Sequence, residues 1–467
     1  MVGYRRPRWN FALQHAAARA ASLGKPLLIL EALRVGYPWA SERLHRFILD
    51  GMRANARFFA KRNVVYIPYV EETHGDGRGL LGALAEDACL VVSDDYPCFF
   101  IPRMQEAAAQ KLGVRFEVVD SNGLFPIRAT SKVFRRAFDF RRFLQRELRP
   151  HLRTMPLPDP LEEMPALDED GRASLMSLLG GRWKAASEEV LRGETLSALP
   201  IDHSVRPVDL DGGFEAGERR IEAFLGGAID RYAEERSHPD ADAASGLSPW
   251  LHFGHVSAHQ VFDELAKNEG WSEERLGAKC GGAREGWWGM SGNAEAFIDE
   301  LVTWRELGFN MCAHEPGYER YESLPDWARA SLEAHEEDPR PHRYSLEELD
   351  ESRTHDPIWN AAQNELRETG RMQNYLRMLW GKKILEWSPN AREALARMIE
   401  LNNKYALDGR DPNSYSGIFW VLGRYDRAWG PERPIFGKIR YMSSENTKRK
   451  LRMRGYLERF GEQASLI

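Results

Sequence analysis

Tryptophan, asparagine and arginine recur between Trp359 and Arg440 at spacings that suit electron and base chemistry. Trp359, Trp380 and Trp387 flank the polar run Asn374, Arg377 and Met378, and a segment running from Asn402 through Asp408, Gly409, Arg410 and Asp411 follows. Indoles pack, stack on bases or relay single electrons to a cofactor. Seven of the 14 tryptophans (Trp287, Trp288, Trp304, Trp327, Trp359, Trp380, Trp387) crowd between positions 287 and 387. Trp380 and Trp387 fall on one helical stripe, for which core packing is the ordinary meaning. Asn374, Arg377 and Met378 stand at i, i+3 and i+4 and share a helix face. An Arg held against an Asp in a dry pocket makes a fixed ion pair, structural or tuning.

Two further groupings carry chemistry. Glu300 and Trp304, at i and i+4 of an otherwise apolar helix, send a carboxyl and an indole into one space. The plainer alternative is a surface Glu paired with Arg305 or Arg329. In Ser245-Gly246-Leu247-Ser248-Pro249-Trp250, two hydroxyls and a glycine precede a helix start, where free backbone N–H groups suit a phosphate. An ordinary N-cap is the alternative there. Tyr232 and Arg236, one turn apart, could add charge to the same phosphate or form a solvated face.

The elements that must position these residues belong to two domains, because 467 residues exceed what one hydrophobic core holds. A formal charge of −6 argues against a uniformly basic coat and leaves room for a local one. Cys89, Cys98, Cys280 and Cys312 are scattered without Cys-x-x-Cys, which implies no metal and fits a reducing compartment. The start is basic and amphipathic without a secretory h-region, and no long apolar run occurs, so the reading is cytoplasmic with no membrane partner.

Residues 9–23 have helical apolar spacing and stop at Gly24 before Pro26. Short apolar runs at 27–33, 64–70, 89–93 and 116–119, separated by helix-like segments, read as a parallel α/β sheet over residues 1–130. A doubly wound domain normally opens on a strand, and residues 1–7 are too short and too polar for a central one. The expectation is a Rossmann-like domain whose first strand is missing, with a gap or rearrangement at the sheet centre and a natural start upstream of Met1. Residues 131–195 read as a linker, basic and then Pro-rich, and 196–467 as a larger all-α domain.

The runs S-G-L-S-P-W-L-H-F-G (245–254), F-I-D-E-L-V-T-W-R-E-L (297–307), W-N-A-A-Q (359–363) and G-R-M-Q-N-Y-L-R-M-L-W (370–380) resemble DNA photolyases. L-N-N-K-Y-A-L-D-G-R-D-P-N and the later R-P-I-F-G-K-I-R-Y-M are similar to the class II branch, which repairs cyclobutane pyrimidine dimers. The resemblance covers the helical domain nearly end to end and residues 1–130 more loosely. It implies a deoxyribodipyrimidine photolyase, a light-driven carbon–carbon lyase and flavoprotein of DNA repair acting on damaged DNA as a monomer. FAD would lie in the helical domain, its diphosphate on Tyr232, Arg236, Ser245, Gly246, Leu247 and Ser248. Asn374, Arg377 and Asp408 would line the flavin and Asn402 would face N5.

By the same resemblance Glu300, Trp304, Trp420 and Met378 would surround a flipped-out dimer. Trp380, Trp359 and Trp387 would relay electrons in that order from the flavin outward. Trp429 and Arg440 would enter the duplex where the dimer leaves, beside the basic tail Lys438, Lys448, Arg449, Lys450, Arg452 and Arg454. Gln373 departs from the common His, Gly277 to Gly292 matches no family pattern, and the antenna chromophore is not legible. The alternative function is a cryptochrome-like flavin photoreceptor without repair, which would have no need of a base clamp. A (6-4) photolyase and a colourless DNA-binding protein are the remaining readings.

Overall fold

The computed structural model describes residues 1–461, which form two compact units. The first comprises residues 1–129, 148–222 and 246–268, and the second residues 130–147, 223–245 and 269–461. Among the described residues no helix is long and apolar enough to cross a membrane.

In the first unit four short parallel strands make two separate pairs. Strand β1 (Leu28–Leu33) pairs with β2 (Val65–Val70), and β3 (Val91–Asp94) with β4 (Phe116–Val119). Helix α1 (Phe11–Leu23) precedes them, capped at its start by Asn10 and at its end by Gly24 in the left-handed conformation. Leu13, Ala17 and Ala20 of α1 pack with Ile29, Phe59, Val64 and Met164, and helix α2 (Glu42–Phe59) covers the β1 to β2 connection. On the β2 side Ile67 and Tyr69 meet Leu80, Leu84, Leu179 and Trp183.

The expected break at the sheet centre is present, and residues 1–6 fill it with side-chain chemistry in place of a ladder. The Met1 amino group donates to the Leu30 carbonyl, while the N–H groups of Val2, Gly3 and Tyr4 converge on one oxygen of Asp94 at 2.6, 2.7 and 3.0 Å. Arg5 pairs at 3.0 Å with Glu31, a fully buried strand carboxylate that also accepts from Asn55 and Tyr66. Arg6 donates to the carbonyls of Gly254 and Ser121. Each backbone group that an inner strand would have satisfied must find a partner somewhere, and residues 1–6 supply two, to the Leu30 and Ala32 carbonyls. Gly254 sits at φ 68°, and a Cβ there would drive into the Gly3 carbonyl oxygen. Gly254→Ala should therefore lower stability by roughly 3 kcal/mol, read as a shift in the denaturant midpoint at unchanged slope.

The second unit is helical. The elements needed below are α3 (Arg305–His314), α4 (Pro357–Thr369), α5 (Asn374–Trp387), α6 (Ala391–Tyr405) and α7 (Pro412–Val421). Glycines let them approach: a Cβ at Gly308 would lie 2.9 Å from the Pro412 carbonyl oxygen, and one at Gly381 2.5 Å from a Val421 methyl.

Candidate active site

The apolar stretch that carries Glu300 and Trp304 is not one continuous α-helix. Ser291 caps a helix over Gly292–Ile298, the chain widens into a π-helical turn over Asp299–Trp304, and α3 follows. Such turns have i→i+5 hydrogen bonds and cluster at functional sites. Arg141 pins this one at its entry, with two bonds to the Asp299 carboxylate at 2.6 and 2.8 Å. Between Phe297 and Cys312 every residue is buried except Glu300 and Trp304, which are half-exposed. A carboxylate and an indole are thus the two groups this stretch offers to a ligand.

Glu300 pairs with neither Arg305 nor Arg329 but with Arg236, Oε1 to Nη1 at 2.6 Å. Arg236 lies over the Tyr232 ring at 5.2 Å and donates to its hydroxyl at 3.3 Å. Burial, then the nearby Glu300 charge, pushes the Tyr232 phenol up to about 12. Burial most strongly disfavours the Arg236 cation, yet Glu300 and Tyr232 together outweigh it and the guanidinium is held above its ordinary range. Gln373, the residue that departs from His, accepts from Leu376 N as the N-cap of α5 and donates to the Arg236 carbonyl at 2.9 Å. Its own N–H reaches Glu365, whose carboxyl is raised by burial and also accepts from Tyr456.

On the first turns of α5, Asn374 is exposed and Arg377 and Met378 are half-buried. Arg377 donates to both oxygens of Asp408, at 3.1 and 3.4 Å, with both side chains about 15% exposed. Asn402 on α6 is buried, its amide nitrogen donating to Ser414 at 2.7 Å. The Met378 methyl lies beside Gly417 of α7.

Trp359 of α4 lies between the two indoles of α5, which are about 10 Å apart along the axis at 1.5 Å per residue. It stacks on Trp380 with centroids 6.4 Å apart and planes 3° from parallel, and meets Trp387 edge-on at 5.5 Å. All three are buried; Trp359 donates to the Trp380 carbonyl and Trp380 to Gln363.

At the end of α7, Trp420 is half-exposed, and Arg440 lies 5.3 Å from its ring and 4.1 Å from that of Trp429. Asp426 holds Arg440 at 3.0 Å and accepts from the Trp429 indole at 3.1 Å. Residues 427–434 around Trp429 are almost all exposed. Much of the basic tail is neutralised locally: Lys438 meets Glu432, Arg452 meets Glu235 and Arg454 meets Glu458.

The Ser245 to Ser248 segment crosses from the second unit to the first at Gly246, which takes φ 65°. The five-residue helix Ser248–His252 has Leu247 at its N-cap and no side-chain cap, so the ordinary Ser N-cap is not formed. The glycine-rich stretch 277–292 is stapled by packing. Trp287 and Trp288 are buried edge to face, Trp271 donates to the Trp288 carbonyl, and Glu295 accepts from Gly286 and Met290. The Arg236 to Glu300 pair and the Gln373 bridge are not readable in sequence, since the partners lie far apart along the chain.

No family model matches the chain. It is 34% identical over 457 residues to a deoxyribodipyrimidine photo-lyase of Methanothermobacter thermautotrophicus, spanning 97% of this chain and 92% of that protein. It is 33% identical to one of Oryza sativa subsp. japonica, over 96% and 84%. In fold it is similar to a class III photolyase from Agrobacterium tumefaciens (TM-score 0.67, 19% identity, 98% and 84% covered). A Synechocystis cryptochrome gives a TM-score of 0.68 at 16% identity, over 98% and 86%. With identity of this level along nearly the whole length, the chain belongs to the deoxyribodipyrimidine photo-lyase family.

Proposed function

We propose that this protein performs light-driven repair of cyclobutane pyrimidine dimers in DNA, as an enzyme of the class II branch with FAD as its cofactor. The carrying observation is that the π-turn interrupts a buried helix and leaves a carboxylate and an indole, Glu300 and Trp304, as its half-exposed groups. That pair suits a flipped-out pyrimidine dimer: the indole stacks and the carboxyl bonds the base carbonyls. A photoreceptor would have no use for it.

The donor set suits FAD. Two half-buried guanidiniums, each held by a carboxylate, match an anionic diphosphate, and the buried amide of Asn402 matches a polar heterocycle. In this reading Tyr232, Arg236 and Ser245, Gly246, Leu247 and Ser248 hold the diphosphate. Asn374, Arg377, Asp408 and Asn402 surround the flavin, with the Arg377 to Asp408 pair setting the charge beside it. When bound in its reduced form, the flavin supplies a photo-excited electron to the dimer and takes it back after the ring has split. Trp304 and Trp420 wall the extruded bases with Met378 beside them, Glu300 steadies the negative charge that develops on the dimer, and Trp380, Trp359 and Trp387 load electrons. Trp429 and Arg440 enter the duplex. The protein works as a cytoplasmic monomer.

Light-dependent conversion of a dimer-containing oligonucleotide, with the flavin spectrum recorded on the same sample, tests the reading; a flavin-loaded protein that leaves the dimer intact under light would refute it. Stacking is worth about 1 to 3 kcal/mol per base, enough to offset much of the few kcal/mol that base extrusion costs. Trp304→Ala and Trp420→Ala should therefore each weaken the preference for damaged over undamaged duplex by about 1 to 3 kcal/mol. Normal preference in both would remove the clamp.

A further inference from the structure

Lys382, in the middle of α5, is completely buried and takes no part in the reading above. Its ammonium donates to the Val421 carbonyl at 2.5 Å and lies 5.1 Å from the Trp420 ring. An interior lysine is costly unless its charge is used. The last carbonyls of a helix lack intrahelical partners and carry the negative end of its dipole, and Val421 is the last residue of α7. Lys382 therefore satisfies a carbonyl at the very turn that bears Trp420. Gly381 makes the reach possible, since there α5 and α7 approach until a Cβ would strike Val421.

We propose that Lys382 is a positioning residue for base recognition: its ammonium locks the last turn of α7 and thereby sets the Trp420 indole against the extruded dimer. The inference rests on Trp420 being a wall of the base site. Burial opposes the Lys382 charge most, Asp426 favours it and Arg440 opposes it; burial and Arg440 together outweigh Asp426 and lower the ammonium to about 7. Protonated Lys382 thus gives way to the neutral amine as the pH rises through neutrality, and a neutral amine is the weaker clamp on a carbonyl.

The experiment measures the affinity ratio for dimer-containing over undamaged duplex, at fixed salt, in the flavin-loaded protein. Wild type should lose about threefold to tenfold of this ratio between about pH 6 and about pH 8. Lys382→Arg should retain the ratio and lose the step, since a guanidinium does not titrate there. Lys382→Met, of similar volume, should have the low ratio at every pH, and its effect should vanish in a Trp420→Ala background. A wild-type ratio in folded Lys382→Met, a pH step that persists in Lys382→Arg, or full additivity with Trp420→Ala would overturn the proposal. If Lys382→Met does not fold, the wild-type and Lys382→Arg pH profiles decide alone. A Trp420→Ala protein with an unchanged ratio would instead refute the base wall itself, and this proposal with it.

Discussion

Trp359→Phe should nearly abolish light-driven reduction of oxidised flavin while repair started from chemically reduced enzyme survives. The reason is positional. Trp380 and Trp387 sit two turns apart on one helix, and the Trp359 indole, stacked on the first at 6.4 Å and edge-on to the second at 5.5 Å, bridges them. A phenyl ring packs in the space but is far harder to oxidise than an indole, so the electron would have to cross the gap in one step. Removing the middle member separates the relay reading from the packing reading. A packing role predicts a drop in stability of about 3 kcal/mol or less with photoreduction intact. Photoreduction at the wild-type rate in folded Trp359→Phe would return the three indoles to the core.

The second large effect is expected at Glu300. Glu300→Ala should keep FAD and DNA bound yet sharply lower the number of dimers split per absorbed photon, because in the proposed role the carboxyl bonds the base carbonyls and acts on charge that develops there during the reaction, contributing little before it. Its partner sharpens the test. Loss of Glu300 releases Arg236, bonded at 2.6 Å, and a freed guanidinium at the proposed diphosphate site should hold the cofactor no more weakly than before. The same change removes one of the charges that, after burial, raises the Tyr232 phenol toward about 12, so that phenol should titrate lower. Flavin content thus holds while the phenol pKa and the repair yield both fall. An unchanged yield would end the assignment of Glu300 to the reaction.

Much of this was legible along the chain. The four strands begin and end within two residues of where runs of apolar residues place them, because each is a short apolar run set off by helical or turn segments on either side. The face shared by Asn374, Arg377 and Met378 followed from helical period alone. What could not be read depends on partners distant in sequence. Arg236 and Glu300 are 64 residues apart, and Lys382 and Val421 39. A π-turn leaves little trace in an apolar pattern, because every residue around it remains buried either way. Gln373 seemed a defect in the pattern, yet its longer amide reaches both the α5 N-terminus and the Arg236 carbonyl.

The divided sheet of the first unit bears on how that unit comes together. Each pair of strands is a βαβ loop closed within its own stretch of chain, β1 to β2 over residues 28–70 and β3 to β4 over 91–119. Neither pair waits on the other for hydrogen-bond partners, so each can form as a separate nucleus with low loop-closure cost. The stretch 1–6, bonded to Leu30 on one side and to Asp94 on the other, is then a keystone set after both pairs have formed. Amide protons of the two strand pairs should accordingly exchange with solvent at distinct rates, and those of Val2, Gly3 and Tyr4 before either.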